Sequence, residues 1–239
     1  MVDTHRWSAK AFSKKDGRPI EGSVCATVWP TQSLNSAERW FDELYLWTEG
    51  FHASTTQRAR IQSAALHAAL QMLDRDAVTK IGVTLSFGTV ERIADHLADV
   101  LQAYALVTHR FSVLLRGSLA RLQARSVVRA FREHLREQQV PVGYMLTFPS
   151  ISMELEALGF VRPDFAKLVA PNSTRVELWR DVLAESREAG VPPDRLIVSA
   201  LETPEQVGIA AQVGIAFGQG NAVRPAFAPP AFTSIGTLQ

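Results

Sequence analysis

The sequence has one cysteine, no excess charge and no long apolar run. Cys25 is alone among 239 residues, so no internal disulfide can form, which favours a reducing compartment. No apolar stretch approaches the roughly 20 residues that a membrane-spanning helix needs. The polar N-terminal residues also lack the apolar core of a signal peptide. These absences predict a cytoplasmic protein that does not enter a membrane.

Charge of either sign is nearly balanced, with 25 Lys and Arg residues against 24 Asp and Glu residues. A net charge of +1 gives no general attraction to nucleic acid or to anionic lipid, so neither partner is predicted. The basic residues are locally dense in one segment, at Arg116, Arg121, Arg125, Arg129, Arg132 and Arg136. Glu133 and Glu137 lie in the same segment and favour a solvated helix face, although a partner surface stays open.

Motifs that bind metals or activate nucleophiles are scarce. The six histidines are scattered, and no pair at a spacing of four residues has a carboxylate beside it, so no zinc site is predicted. No serine lies in a G-x-S-x-G turn. The glycine-containing segment AFGQGN lacks the spacing of a phosphate-binding loop. The sequence therefore predicts no metal, no cofactor and no catalytic residue.

Short apolar strands alternate with amphipathic helices from Lys80 onward. Because such alternation is typical of a parallel sheet covered by helices, a closed barrel is predicted. Two earlier strands, Trp7–Phe12 and Ile20–Trp29, flank an Asp-Gly turn and predict an antiparallel hairpin. The fold class is therefore α/β, a TIM-like (β/α) barrel with an antiparallel first strand. One domain is expected over residues 1–226, followed by a mobile tail over 227–239.

Helices are predicted at several places between these strands. Trp40, Phe41, Leu44 and Trp47 recur at helical spacing after Ser33 or Asn35, either of which could cap a helix. Further helices are predicted at Thr55–Leu73, Val90–Tyr104, Val127–Gln138, Ile151–Leu158, Thr174–Ala189 and Pro204–Val213.

Several short motifs resemble, in order, those of one protein family. Leu201-Glu202-Thr203, Val213-Gly214, Gln219-Gly220 and Pro225 resemble the closing segment of EAL domains. Upstream, RPDFAKLV is similar to that family's lysine-containing strand, and KIGVTLSF to its Asn-Leu-Ser strand. The opening hairpin is similar to its first strands. The matches cover nearly the whole chain, which therefore resembles an EAL domain, a family that hydrolyses cyclic di-GMP.

The resemblance implies two-metal hydrolysis of a phosphodiester, which needs carboxylate ligands. In this sequence the EAL glutamate falls on Val24 and the arginine after it falls on Val28. The other ligand positions fall on Thr84, Leu114, Gly117, Met145, Leu146, Val169 and Ser199. Since these side chains cannot hold two metals, the chain is expected not to be an enzyme.

Four residues still match the family at the expected barrel mouth. The resemblance gives Lys167, Glu202, Gln219 and Gly220 as ligand-binding relics. Each also has a simpler structural interpretation: a solvated lysine, a carboxylate near a helix N-terminus, and a tight Gln-Gly turn.

The most direct functional hypothesis is a catalytically inactive bacterial regulator that acts through a protein partner. The alternative is a cyclic di-GMP receptor that does not hydrolyse its ligand, but the valine at position 28 argues against it because arginine suits a phosphate better. We expect cyclic di-GMP binding to be weak or absent. A homodimer is left open, and no acid–base pair supports a different enzyme chemistry.

Overall fold

The computed structural model describes residues 5–12, 19–36, 38–50, 52–117, 126–151 and 163–229. Within these ranges the strands are β1 His5–Phe12, β2 Pro19–Ser33, β3 Arg39–Glu49, β4 Ile81–Ser86, β5 Phe111–Arg116, β6 Val142–Leu146, β7 Phe165–Val169, β8 Leu196–Ser199 and β9 Phe217–Gly218. The helices are α1 Thr55–Asp74, α2 Phe87–Ala103, α3 Ser126–Glu137, α4 Val176–Glu188 and α5 Pro204–Val213.

The sheet closes into a barrel of eight strands, β2 to β9. Neighbours from β3 to β9 are parallel, whereas β2 is antiparallel to both β3 and β9. Closure depends on a short ladder in which Gln32 pairs with Gly218 and Ser33 with Phe217. Strand β1 adds to the opposite end of β2 as the predicted hairpin. The predicted TIM-like barrel with an antiparallel first strand is therefore confirmed.

The predicted helix around Trp40 is wrong, because Arg39–Glu49 forms strand β3. Aromatic residues favour strands, and Phe41, Glu43 and Tyr45 lie on one face of β3 at a spacing of two residues. Phe41 packs in the barrel interior, whereas Leu44 joins the core outside the barrel. The helical spacing of the aromatic residues was thus a weaker signal than their strand propensity.

Two apolar layers hold the barrel. Outside it, side chains such as Val83, Leu115 and Val198 join those of the covering helices in one large core. Inside it, a smaller cluster fills the end at which the parallel strands begin. We call this cluster the aromatic plug: Trp40, Phe41, Leu114, Met145, Phe165, Ile197 and Phe217. The Trp40 ring lies 4.5 Å from that of Phe217 and 5.4 Å from that of Phe165, so the barrel has a packed floor.

The helices begin where side-chain caps satisfy their first backbone N–H groups. Ser54 forms a capping box with Gln57 at the start of α1, and Thr203 does so with Gln206 at the start of α5. Helix α5 matches its predicted bounds and ends at Gly214, whose φ is 95°. None of the described helices is both long enough and apolar enough to cross a membrane.

The C-terminal segment lies along β2. The backbone N–H of Val28 donates to the oxygen of Phe227 at 2.8 Å, and that of Phe227 donates back at 3.0 Å. Phe227 is thus paired with the barrel although it lies in the tail that we predicted to be mobile. Residues 230–239, the hairpin turn at 13–18 and the predicted helix beyond Ile151 lie outside the described residues. The domain limits stay a prediction.

Replacement of one glycine of the barrel tests the packed interior. A Cβ at Gly143 would collide with the ring of Phe165, whereas a Cβ at Gly208 in α5 would meet no atom within 4 Å. We expect Gly143→Ala to lower the free energy of unfolding by about 1–3 kcal/mol through overpacking. The matched control Gly208→Ala should raise it by about 0.5–1 kcal/mol through helix propensity. Urea unfolding measures both, and equal effects would contradict this packing.

Candidate functional site at the barrel mouth

Four polar side chains meet inside the barrel, above the aromatic plug. Glu43 comes from β3, Thr84 from β4, Lys167 from β7, and Gln219 follows β9 directly. Glu43 and Lys167 each lie two residues beyond an aromatic residue of the plug on the same strand face. The four side chains therefore lie toward the end at which the parallel strands finish, which we call the barrel mouth.

The carboxylate of Glu43 is the centre of this polar cluster. Its Oε1 accepts a hydrogen bond from Thr84 Oγ1 at 2.6 Å. Its Oε2 accepts from Lys167 Nζ in an ion pair and from Gln219 Nε2 at 3.2 Å. Lys167 Nζ also donates to Gln219 Oε1 at 2.6 Å, and Gln219 Nε2 reaches the carbonyl of Trp29 at 3.2 Å. The polar groups of the cluster thus satisfy one another.

Burial makes the ion pair a strong electrostatic feature. Glu43 is 4% exposed and Lys167 is 7% exposed. Burial alone would raise the pKa of Glu43, but the charge of Lys167 and the hydrogen bonds from Lys167, Thr84 and Gln219 outweigh it and lower that pKa. Glu43 is therefore an ionised carboxylate whose charge is cancelled within the protein.

Two of the four matched residues lie in the polar cluster and two lie beside it. Lys167 and Gln219 are cluster members, so the interpretation of Lys167 as a solvated lysine is wrong. Gly220 has φ 149° and approaches the backbone of Leu201 so closely that a Cβ would collide with it. Glu202 is exposed at the rim, where its Oε2 accepts from Asn221 Nδ2 at 2.7 Å. The structure thus gives Gly220 a steric role in a tight turn.

No role is predicted for Glu43 from the sequence. The resemblance to EAL domains places that family's glutamate at Val24. Val24 pairs with Thr48, whereas Glu43 pairs with Trp29, so the two positions lie five residues apart along the ladder. At about 3.3 Å per residue this separation is about 16 Å. The helical spacing of the aromatic residues predicts a helix at position 43, and a helix would not direct this carboxylate into the barrel. The alternation of Phe41, Glu43 and Tyr45 is the signal that could have found it.

The expected substitution of an arginine by Val28 also requires correction. Trp29 lines the mouth, so alternation along β2 turns Val28 to the other face, where it joins the core outside the barrel. Val28 is therefore not a mouth position, and its apolar character says nothing about phosphate binding.

The remaining expected ligand positions lie near the mouth but carry no carboxylate. Leu114 and Met145 face the interior, whereas Leu146 belongs to the core outside it. Ser199 is buried and its hydroxyl donates to the Leu168 carbonyl at 2.9 Å, and Val169 is 54% exposed. Within the described ranges, no three His, Cys, Asp or Glu side chains are grouped closely enough to hold a metal ion. The described residues of the mouth therefore do not fit a two-metal centre.

A cavity of about 240 Å³ opens at the mouth above the polar cluster. Trp29, Tyr45 and Met145 give it apolar walls, and Arg116 and Glu202 place opposite charges at its edge. Arg116 also lines two adjoining cavities, of about 270 and 680 Å³. Arg116 appeared in the sequence only as one of six arginines in a basic segment. The structure separates it from the arginines of α3 and places it at the mouth.

Comparison with known proteins gives structural matches alone. No protein-family profile and no curated protein sequence matches the chain. Among solved structures, the S helix–GGDEF–EAL segment of Vibrio cholerae LapD superposes with a TM-score of 0.65 at 14% identity, over 83% of this chain and 52% of that one. The EAL domain of Mycobacterium smegmatis DcpA gives a TM-score of 0.62 at 14% identity, over 85% and 92%. The chain has the EAL-domain fold.

A third match is Klebsiella pneumoniae BlrP1 in complex with calcium and cyclic di-GMP. Its TM-score is 0.61 at 14% identity, over 82% of this chain and 53% of that one. The chain thus spans about half of the LapD and BlrP1 structures. At these identities the likeness concerns the fold alone.

Removal of the lysine tests the polar cluster. We expect Lys167→Met to lower the free energy of unfolding by about 3–5 kcal/mol at neutral pH, because Glu43 would remain buried without its counter-charge. The double variant Glu43→Gln/Lys167→Met leaves no buried charge and should recover most of the loss. Urea unfolding of both variants measures this coupling. Equal losses in the single and double variants would show that the ion pair is not coupled.

The same pair predicts a specific pH dependence. The folded-state pKa of Glu43 is lowered, so its contribution to wild-type stability is present above the ordinary carboxyl pKa and is lost as the pH falls through the folded value. Without Lys167, burial would raise that pKa, and acidification would remove the buried charge. The stability difference between wild type and Lys167→Met should therefore shrink as the pH falls from neutral toward about 4.3. A constant difference across this range would contradict the ionised state of Glu43.

Proposed function

We propose that this chain is a catalytically inactive EAL-fold domain that acts as a bacterial regulator through a protein partner. The observation that carries the proposal is the ion pair inside the mouth, where the Lys167 ammonium group lies against the Glu43 carboxylate. Two-metal catalysis needs several carboxylates directed at two cations. Here the described interior offers Glu43, and a protein cation already neutralises it.

The cost of converting this site supports the proposal. A divalent cation at Glu43 would have to displace Lys167 and leave a buried ammonium group without its carboxylate. The neighbouring interior positions Leu114 and Met145 could supply no compensating charge. Burial of unpaired charge costs free energy. Metal binding is therefore disfavoured because too few carboxylates would surround the metal and because Lys167 would lose its counter-charge.

A protein partner is favoured because the polar interior is satisfied by its own contacts. Glu43, Lys167 and Gln219 use their hydrogen-bonding groups on one another, which leaves few donors for a small ligand at the bottom of the cavity. Large apolar side chains are exposed away from the mouth, with Leu106 at 91% and Val127 at 42%. Without chemistry in the interior, function is most simply assigned to the surface of the barrel.

A second candidate is a cyclic di-GMP receptor that does not hydrolyse its ligand. Arg116 favours it, because a guanidinium group at the mouth can bind a phosphate with paired hydrogen bonds. Val28 no longer argues against it. Lys167, however, is bound to Glu43 and Gln219, so among the described residues that line this cavity Arg116 is the cation left for a ligand with two phosphates. We therefore expect the affinity for cyclic di-GMP to be weak.

A hydrolysis assay tests the absence of catalysis. We expect no conversion of cyclic di-GMP above the uncatalysed rate with Mg²⁺ or Mn²⁺, because the described mouth lacks the carboxylates that would hold either ion. Chromatography of the nucleotide after long incubation measures it. Turnover that a chelator abolishes, and that Glu43→Gln also abolishes, would refute the proposal.

A calorimetric titration separates the two candidates. Micromolar binding needs about 8 kcal/mol, whereas one charge-assisted contact supplies about 1.5–3 kcal/mol. We therefore expect cyclic di-GMP to bind more weakly than micromolar, with or without Mg²⁺. Sub-micromolar binding that Arg116→Gln weakens would favour the receptor. Arg129→Gln on the exposed part of α3 is the matched control for the charge change.

A further inference from the structure

We propose that Arg116 makes the barrel mouth a metal-independent site for a small aromatic phosphate ester, of the size of a nucleoside monophosphate. This inference goes beyond the proposed function, because a chain without catalysis could act through a protein partner whether or not such a ligand binds. It rests on the position of Arg116, on the charge balance of the mouth, and on the shape and composition of the cavity.

Arg116 is a partly buried cation at the rim of the barrel. It is the last residue of β5 and pairs in register with Ser86, the last residue of β4, so its side chain stands at the rim of the barrel. Within the described part of the chain its guanidinium group takes part in no hydrogen bond or ion pair. It nevertheless lines three adjoining cavities. A partly desolvated guanidinium group in this state is stabilised by an anion that accepts two hydrogen bonds.

Arg116 makes the largest contribution to the electrostatic potential of the cavity, because the other charges of the mouth are paired or exposed to solvent. Glu43 and Lys167 cancel each other at the bottom. Glu202 is the opposing charge at the edge, but it is exposed to solvent and its carboxylate is held by Asn221. Solvent screens Glu202 more strongly than it screens the partly buried Arg116. The cavity therefore favours an anion and has no strong attraction for a free cation.

The walls of the cavity favour an aromatic ring next to that anion. Trp29, Tyr45 and Met145 line it together with Arg116. Tyr45 also lines the adjoining cavity and stacks on Trp47, with ring centroids 5.9 Å apart and an interplanar angle of 23°. Aromatic faces and a methionine thioether bind planar rings. An anion with an attached ring thus fits better than a free inorganic anion.

Size limits the ligand further. The cavity measures about 240 Å³, below the roughly 300–1,000 Å³ of typical small-molecule pockets. One ring with one phosphate can use both the walls and Arg116. Among the described residues that line this cavity, the guanidinium group of Arg116 is the one left for a phosphate, so a single phosphate matches its charge better than two. The geometry therefore points to a monophosphate.

The test is a set of titrations of the full chain in the presence of EDTA. The probes are GMP, phenyl phosphate, inorganic phosphate and cyclic di-GMP, followed by calorimetry and by tryptophan fluorescence, since Trp29 lies in the wall. We expect GMP and phenyl phosphate to bind at least tenfold more tightly than inorganic phosphate. All affinities should fall as salt is raised, because the attraction is electrostatic.

Three variants assign any binding to the mouth. Arg116→Gln should weaken GMP binding at least tenfold. Glu202→Gln removes the opposing charge and should strengthen it about twofold or more. Arg129→Gln makes the same charge change as Arg116→Gln on an exposed part of α3 and should leave it unchanged. Urea unfolding of each variant establishes that it is folded at the titration temperature.

Several outcomes would overturn the inference. They are no binding by any probe, an equal loss in the Arg116 and Arg129 variants, binding that requires Mg²⁺, or binding of cyclic di-GMP without binding of GMP. The last outcome would instead favour the receptor. These are all binding outcomes and none of them measures turnover of cyclic di-GMP, so the two proposals fail separately.

Discussion

The chemistry of this barrel depends on one interaction, the buried ion pair between Glu43 and Lys167. The two residues are far apart in sequence, and strands β3 and β7 bring them together across the interior. Each charge would be costly to bury alone, so the presence of one requires the other. Gln219 and Thr84 complete the hydrogen bonding of the pair. The charges inside the mouth thus cancel each other, which limits the ions that the interior can bind.

The aromatic plug and the polar cluster divide the barrel interior into two levels. Phe41 and Glu43 on β3, and Phe165 and Lys167 on β7, alternate between outward-facing neighbours, so each strand contributes one apolar and one polar side chain. The plug places apolar side chains directly below the ion pair. Their low polarity strengthens the electrostatic interaction between Glu43 and Lys167. The strand geometry that packs the aromatic plug therefore also holds Glu43 beside Lys167, which keeps the Glu43 carboxylate ionised.

The barrel could be predicted from sequence, but its charged centre could not. Alternating strands and helices after Lys80 and the opening hairpin indicate local structure that periodicity reveals. Strand β3 was missed because its aromatic residues also fit a helical spacing, and Glu43 was missed with it. Arg116 differs from its neighbouring arginines only by its place at the end of β5. The spacing of Phe41, Glu43 and Tyr45 can place Glu43 on one strand face, but its pairing with Lys167 depends on a contact between distant strands, which no local pattern encodes.

The charges at the mouth give it an electrostatic character different from that of a two-metal centre. A two-metal centre presents carboxylates to cations and uses those cations to bind a phosphate. In this chain the carboxylate is paired with a lysine, and a cation of the protein itself, Arg116, stands at the rim. The positive charge that a metal ion would supply is thus carried by the side chain of Arg116. Such a mouth can attract an anion without a metal. The proposed absence of catalysis and the proposed anion site therefore rest on one arrangement of charges.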